Sequence, residues 1–269
     1  MRIKRANTEL GIAREVYERF RWTSASRSHV GLVRKINEDA YLDRPDIRLW
    51  AVADGMGGHT VGDLASRKVI DALSSVSPAD SPENRVAAVR ERLQTVNREL
   101  RTEAATRNVE RIGSTAVVLL AGDSDCRFLW AGDSRIYLLR RGRLKLLTRD
   151  HSVLQALRSR GHATSLDAFP QSAQHCITRA VGADDTLDVD EGIEEVTDGD
   201  VFLLCSDGLT NEVTEDEIGN ALRTRTCRQA SEALVEMALQ RGGRDNVSAI
   251  VVHAQDMFSS EKTLFIPAI

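Results

Sequence analysis

Several acidic residues stand where apolar runs give out. LWAVA (49–53) leads directly into Asp54-Gly55, FLWAG (128–132) into Asp133-Ser134, and VFLLCS (201–206) into Asp207-Gly208. Asp245 stands in GGRDN, just ahead of the apolar run 248–253. The doublet Glu38-Asp39 sits in VRKINEDAYL, which reads as the end of another strand. Any single Asp-Gly is an ordinary turn, because Asp hydrogen-bonds its own backbone and Gly tolerates positive φ. Asp198-Gly199, among polar neighbours, reads that way. Acids gathered at the ends of buried strands are different, since uncompensated carboxylates held close together repel one another and resist ionisation. A hard divalent cation removes that conflict, and Mg²⁺ and Mn²⁺ prefer oxygen ligands. A ligand set without His or Cys disfavours zinc.

The elements that must position these acids are legible as patterns. Short apolar runs predict strands at 49–53, 115–121, 127–131, 135–140, 143–147, 201–205 and 248–253, with a further strand starting near Trp22. Gly122-Asp123 and Arg141-Gly142 read as tight turns between neighbours, which implies antiparallel meanders. Val86, Val89, Leu93, Val96 and Leu100 recur at steps of three and four and predict a helix over 83–106. Ala230, Ala233, Leu234, Met237 and Ala238 predict another over 228–241, stopped by Gly242-Gly243. Shorter helices are expected at 62–75 and 214–223, the second with Thr214 and Glu217 spaced as a capping box. Strands apolar on both sides need cover on both faces. The expected class is therefore α+β, a four-layer α-β-β-α sandwich of two mainly antiparallel sheets flanked by helices. A doubly wound parallel fold is the alternative, disfavoured because several strands follow one another with no helix between them.

Composition bounds the function. The chain has 269 residues, with 42% hydrophobic and 28% charged, as in a folded globular protein. At roughly 150 residues per domain the length allows one large domain or two small ones, and the lack of a repeat or linker favours one. The net charge of −4, from 36 Lys+Arg and 40 Asp+Glu, excludes a nucleic-acid binder that works by neutralising phosphates. Cys126, Cys176, Cys205 and Cys227 form no CxxC and read as core thiols in a reducing compartment. No signal peptide or bilayer-length apolar run is evident, so a cytoplasmic protein without membrane insertion is expected.

Eight segments in order then carry a resemblance: VGLVRKINEDA, WAVADGMGGH, GSTAVVLL, LWAGDSRIYLLR, LTRDHS, ITRAVG, LLCSDGLTNEV and GGRDNVSAIVV. From about Ser26 to His253 the chain resembles the metal-dependent protein phosphatases of type 2C, in their compact bacterial form. The resemblance implies two Mn²⁺ or Mg²⁺ ions sharing Asp54 and the carbonyl of Gly55. Asp207 and Asp245 would serve one ion, while Glu38 and Asp39 would support the other, partly through water. A third, weaker ion would fall to Asp133 and Asp207. Such ions generate a bridging hydroxide that attacks phosphorus in line, so no protein nucleophile is needed. Arg34 matches the family's phosphate-binding arginine, a planar fork for two phosphate oxygens. Without that match, an Arg at this spacing from an acid reads as a surface ion pair. Met56 stands where eukaryotic members carry His. His59 is the nearest replacement as general acid, and reads equally as a cap for the helix starting near Val61; a metal-bound water is the other source of the proton. The stretch 153–176 matches a flap, about 152–177, in which His162 is either a phosphopeptide contact or a solvated loop histidine.

The expected organisation is an N-terminal extension over 1–21, a phosphatase domain over 22–254 and a C-terminal tail over 255–269. Leu10, Ile12, Val16, Tyr17 and Phe20 give the extension a short amphipathic-helix pattern. Expected substrates are proteins phosphorylated on Ser or Thr, with a cognate Ser/Thr kinase or its substrates as partner and a monomeric state. The flap and charge pattern suggest the phosphatases associated with type VI secretion. A phosphoprotein-binding pseudophosphatase and a small-phosphoester hydrolase are the competing readings.

Overall fold

The apolar runs pair into two antiparallel sheets in the computed structural model, which describes residues 4–5, 15–16, 19–57, 61–77, 81–159 and 176–259. In chain order the strands are β1 (Lys4–Arg5), β2 (Glu15–Val16), β3 (Phe20–His29), β4 (Asp39–Arg44), β5 (Leu49–Met56), β6 (Gly113–Ser114), β7 (Ala116–Ala121), β8 (Asp125–Ala131), β9 (Arg135–Arg140), β10 (Arg143–Leu146), β11 (Asp190–Glu195), β12 (Val201–Cys205) and β13 (Val247–Asp256). The helices are α1 (Gly62–Ser74), α2 (Pro82–Arg107), α3 (Val153–Ser159), α4 (Asp207–Thr210), α5 (Glu215–Thr224) and α6 (Cys227–Gln240). One sheet has the order β10-β9-β12-β13-β3. The other has β11-β8-β7-β5-β4, with β6 also on β5; β1 and β2 pair separately.

Alternation along each strand builds the layers, because successive side chains leave opposite faces. Trp50 and Val52 of β5 enter the core between the sheets, with Trp22, Phe202 and Ile250. Leu49, Ala51 and Ala53 of the same strand face Val69, Leu73, Val89 and Leu93 of α1 and α2. In the other sheet Leu203 and Cys205 face Ile218 and Leu234 of α5 and α6. The four-layer α-β-β-α expectation holds, and the parallel alternative is excluded by the antiparallel pairings. Capping boxes begin both α5, at Thr214 and Glu217, and α6, at Thr226 and Gln229. The β9–β10 hairpin turns through Arg141 and Gly142, both at positive φ, which matches the twist of the strands it joins.

Three expectations need correction, and one strand, β11, was not expected. Glu38-Asp39 lies at the start of a strand, not its end; β4 begins at Asp39. β11, DEGIEE, has no apolar run because it is an edge strand whose residues are only half covered, and Gly192 gives way to the ring of Phe128. Cys126 and Cys205 are core thiols, but Cys176 is exposed and Cys227 only partly covered. Within the expected N-terminal helix, Glu15–Val16 pairs as a strand with Lys4–Arg5 and Phe20 opens β3. At the flap, Ser152 bridges to Ile177 and the Val153 N–H donates to the Cys176 carbonyl at 3.0 Å, so its two ends are pinned together. Among the described residues no helix is long and apolar enough to cross a membrane.

Candidate metal centre and phosphate site

Antiparallel pairing gathers the acids. β4 starts where β5 ends, and their register sets Asp39 directly opposite Asp54. In the other sheet β12 ends beside the start of β13, with Ser206 N–H donating to the Ser248 carbonyl at 3.1 Å. Asp207 and Asp245 therefore flank one rim. Asp133 joins them from the β8–β9 turn. Arg34, Glu38, Asp54, Gly55, Asp133, Asp207 and Asp245 all line one cleft of about 690 Å³. Two glycines allow the close approach. A Cβ on Gly55 would fall 1.9 Å from the Gly62 carbonyl oxygen at the start of α1, and one on Gly208 would fall 2.0 Å from the Asn246 carbonyl oxygen.

The electrostatics are those of a cation site. Asp39 is almost wholly buried; its Oδ2 accepts from the hydroxyls of Ser206 and Ser248, each at 2.7 Å, while its Oδ1 is buried with no hydrogen-bond partner. Burial pushes Asp39 up to about 7, against the pull of the two hydroxyls. Burial likewise holds Asp54 well above the usual carboxylate range, reinforced by the charges of Asp39, Asp207 and Asp133. Asp133 rises to about 7 through burial and then Asp207, and Glu38 rises mainly through burial. An orphaned buried carboxylate oxygen, amid acids that raise one another, fits a divalent cation with oxygen ligands. Among the described residues no three acidic, His or Cys side chains already close on one point. Asp245 is instead engaged by Arg34, whose Nη2 donates to its Oδ2 at 2.7 Å.

Arg34 thus sits in the cleft, half exposed, with its guanidinium pKa raised by the Asp245 hydrogen bond. Asp198 lies elsewhere, in a turn where its Oδ1 accepts the Asp256 N–H at 2.7 Å. His59 and His162 lie outside the described residues.

Three supporting residues lay inside the recognised segments without a role. Thr115, in GSTAVVLL, accepts the Asp54 N–H through Oγ1 at 2.9 Å, and the same oxygen meets the Ser134 hydroxyl at 2.7 Å, tying two acid-bearing turns together. Asn246, in GGRDNVSAIVV, accepts the Glu38 N–H at 2.8 Å. It donates to the carbonyls of Val30 and Ile36 at 2.8 and 3.0 Å, clamping the loop that presents Arg34. His151, in LTRDHS, is buried under a stacked Trp130 ring. Its Nδ1 accepts the Gly132 N–H at 3.2 Å, and its Nε2 lies 3.2 Å from Asp190 Oδ2. It thereby joins the turn bearing Asp133 to the base of the flap. The segments themselves are the only signal that could have found these residues, because each acts on a partner distant in sequence.

A family model described as Protein phosphatase 2C matches residues 18–156. The serine/threonine protein phosphatase PstP of Mycobacterium tuberculosis is 34% identical over 233 residues, covering 86% of this chain and 45% of that protein, so this chain spans less than half of its length. The structure of PppA, a key regulatory component of T6SS in Pseudomonas aeruginosa, matches with a TM-score of 0.81 and 43% identity, covering 87% of this chain and 97% of that one. The catalytic domain of PstP in complex with two manganese ions matches with a TM-score of 0.79 and 33% identity, covering 88% of this chain and all of that one.

Proposed function

The chain belongs to the protein phosphatase 2C family, and from that membership we propose that it hydrolyses phosphoserine and phosphothreonine in proteins with the help of two Mn²⁺ or Mg²⁺ ions and a third, weaker one. The orphaned Oδ1 of Asp39, buried beside carboxylates whose pKa values burial and then neighbouring acids raise, is the observation that carries this reading. Asp54 and the Gly55 carbonyl would lie between the two ions, Asp207 and Asp245 on one side, Glu38 and Asp39 on the other, with Asp133 and Asp207 for the third. When bound, such ions neutralise a phosphate dianion and activate water for attack on phosphorus.

The chain's own groups then bind and orient. Arg34 already reaches a carboxylate within the cleft at 2.7 Å, so phosphate oxygens beside Asp245 are within its range and would replace that contact with a charge-assisted fork. Among the described lining residues only Thr115 carries a hydroxyl and none carries a thiol. Thr115 Oγ1 is committed to the Asp54 N–H and Ser134. With the lining carboxylates assigned to the ions, direct attack by water, without a phosphoenzyme, suits that lining. Met56 has no proton to give, so the leaving alkoxide takes one from solvent in the open cleft or from His59. His162 would meet the phosphopeptide.

The body proposed for this activity spans about 22–254, between an extension and a tail, acting as a monomer. A cytoplasmic role opposing a Ser/Thr kinase is supported by the free thiols and by the signalling phosphatases among its relatives. The 43% identity to PppA supports a place in type VI secretion control. Purified protein should release phosphate from a phosphothreonine peptide in millimolar Mn²⁺ and stop in chelator. No turnover of that peptide in Mn²⁺ would refute the protein-phosphatase reading, turnover of p-nitrophenyl phosphate alone would favour a small-phosphoester hydrolase, and no turnover of either would refute the enzyme reading.

A further inference from the structure

The sheet that ends at Asp207 carries a second groove at its other end. Val201, at the opposite end of β12 from Asp207, lies on its floor. Six residues of extended chain separate the two positions, about 20 Å at roughly 3.3 Å each. The groove holds about 800 Å³, more than the catalytic cleft. Its floor includes Leu139, Val201 and Val251, and its rim carries Arg141, Arg223 and Arg225. Arg141 comes from the β9–β10 turn, whereas Arg223 and Arg225 come from the junction of α5 and α6, so two segments distant in sequence bring three cationic residues to one groove.

Among the described residues none of these three meets a carboxylate, and Arg225 reaches only the Thr224 hydroxyl at 3.3 Å. Their neighbours behave otherwise. Arg140 is held by Glu194 and Asp200, and Arg228 by Glu232. The acid that does line the groove, Asp198, has its Oδ1 engaged by the Asp256 N–H. In a chain of net charge −4, a groove with three guanidinium residues against the single carboxylate of Asp198, over an apolar floor, is a local reversal. Its complement is a peptide with carboxylates for the guanidiniums and an aliphatic side chain for the floor, since Arg pairs with carboxylates in a planar fork.

We propose that this groove docks an acidic stretch of the phosphoprotein substrate at a distance from the phosphorylated residue, an inference that rests on the phosphatase reading. The occupant pairs with Arg141, Arg223 and Arg225 while the phosphate is at the acid-lined cleft, so the groove sets substrate preference and not the chemistry. These three side chains add to the phosphopeptide affinity that the phosphate contacts supply, and they add to its salt dependence.

The test uses the full chain and a fluorescein-labelled peptide, Glu-Glu-Leu-Glu-Asp-Glu, which carries no phosphate. Wild type should bind it, more weakly as salt rises, and the variant carrying Arg141→Ala, Arg223→Ala and Arg225→Ala should bind about tenfold more weakly or worse. The single variant Arg223→Glu should weaken binding in the same direction. All variants should turn over p-nitrophenyl phosphate in Mn²⁺ as wild type does, while kcat/KM falls for a phosphothreonine peptide joined by about 15 flexible residues to the acidic stretch. Equal peptide affinity in wild type and the triple variant, or no binding by wild type, overturns the docking site. Failure of wild type on p-nitrophenyl phosphate and phosphopeptide alike would instead sink the phosphatase reading, since peptide binding is measured without turnover.

Discussion

Asp39→Asn isolates the strain that the acid cluster places on the fold. Burial lifts Asp39 from the usual 3.8 to about 7 in the native protein. Below pH 3.8 the group is protonated in both native and unfolded chains and contributes nothing. Between 3.8 and about 7 the unfolded chain ionises while the native one keeps its proton, so stability falls as pH rises. Above 7 the full penalty applies, on the order of 4 kcal/mol at 1.36 kcal/mol per pKa unit. Asn keeps an oxygen for the hydroxyls of Ser206 and Ser248 and removes the charge opposite Asp54. In chelator at pH 8 the variant should therefore be more stable than wild type by up to about 4 kcal/mol, roughly 10 °C in Tm for a chain of this size. The difference should shrink toward zero by pH 4. Adding Mn²⁺ should then stabilise wild type by more than the variant, because a ligand that binds only the native state contributes about 2.7 kcal/mol at one hundred times its Kd. Thermal melts in chelator at the two pH values, with and without Mn²⁺, measure each quantity. A variant less stable than wild type in chelator at pH 8, or a difference that does not change with pH, would refute the account of the cluster as a set of opposed charges awaiting a cation.

The remaining expectations separate the acids from their look-alikes and the supports from the bystanders. Asp54→Ala and Asp207→Ala should abolish Mn²⁺-dependent turnover of p-nitrophenyl phosphate, while Asp198→Ala, whose carboxylate serves a turn, should stay near wild type; equal losses would dissolve the distinction. Arg34→Ala should raise KM for a phosphothreonine peptide about tenfold or more with a smaller change in kcat, as expected for loss of a charge-assisted hydrogen bond; an unchanged KM removes Arg34 from phosphate binding. His151→Ala strands the buried Gly132 N–H and should cost about 1–3 kcal/mol, with faster hydrogen exchange at Gly132; unaltered exchange there would show that His151 does not hold the turn beside Asp133.

Local pattern decided a good deal about this protein. The strands of both sheets are visible because residues such as Trp50 and Ala51 are buried on opposite faces of one strand, leaving unbroken apolar runs. The stripe from Val86 to Leu100 marks the inner face of α2, and Thr214 with Glu217 marks the start of α5, because helical spacing and capping act within a turn or two of chain. The acids were found because each stands at one end of such a run or of a strand-like segment. β11 escaped because an edge strand with one half-covered face leaves no apolar run, and the direction of Glu38-Asp39 escaped because β4 buries little besides Asp39 and Leu42.

What tertiary structure alone decided is which groups face each other. Asp39 opposes Asp54 through strand register, and a slip of one residue would turn every side chain to the other face. The hydroxyls that hold Asp39 come from Ser206 and Ser248, on the other sheet, and the orphaned oxygen they leave is a property of that packing. Arg141 lines one groove with Arg223 and Arg225 because a hairpin and a helix junction lie at the same end of a sheet. Periodicity is written in neighbouring residues and can be read from them. A carboxylate's field and its partners are sums over residues far apart in sequence, and only the folded chain performs that sum.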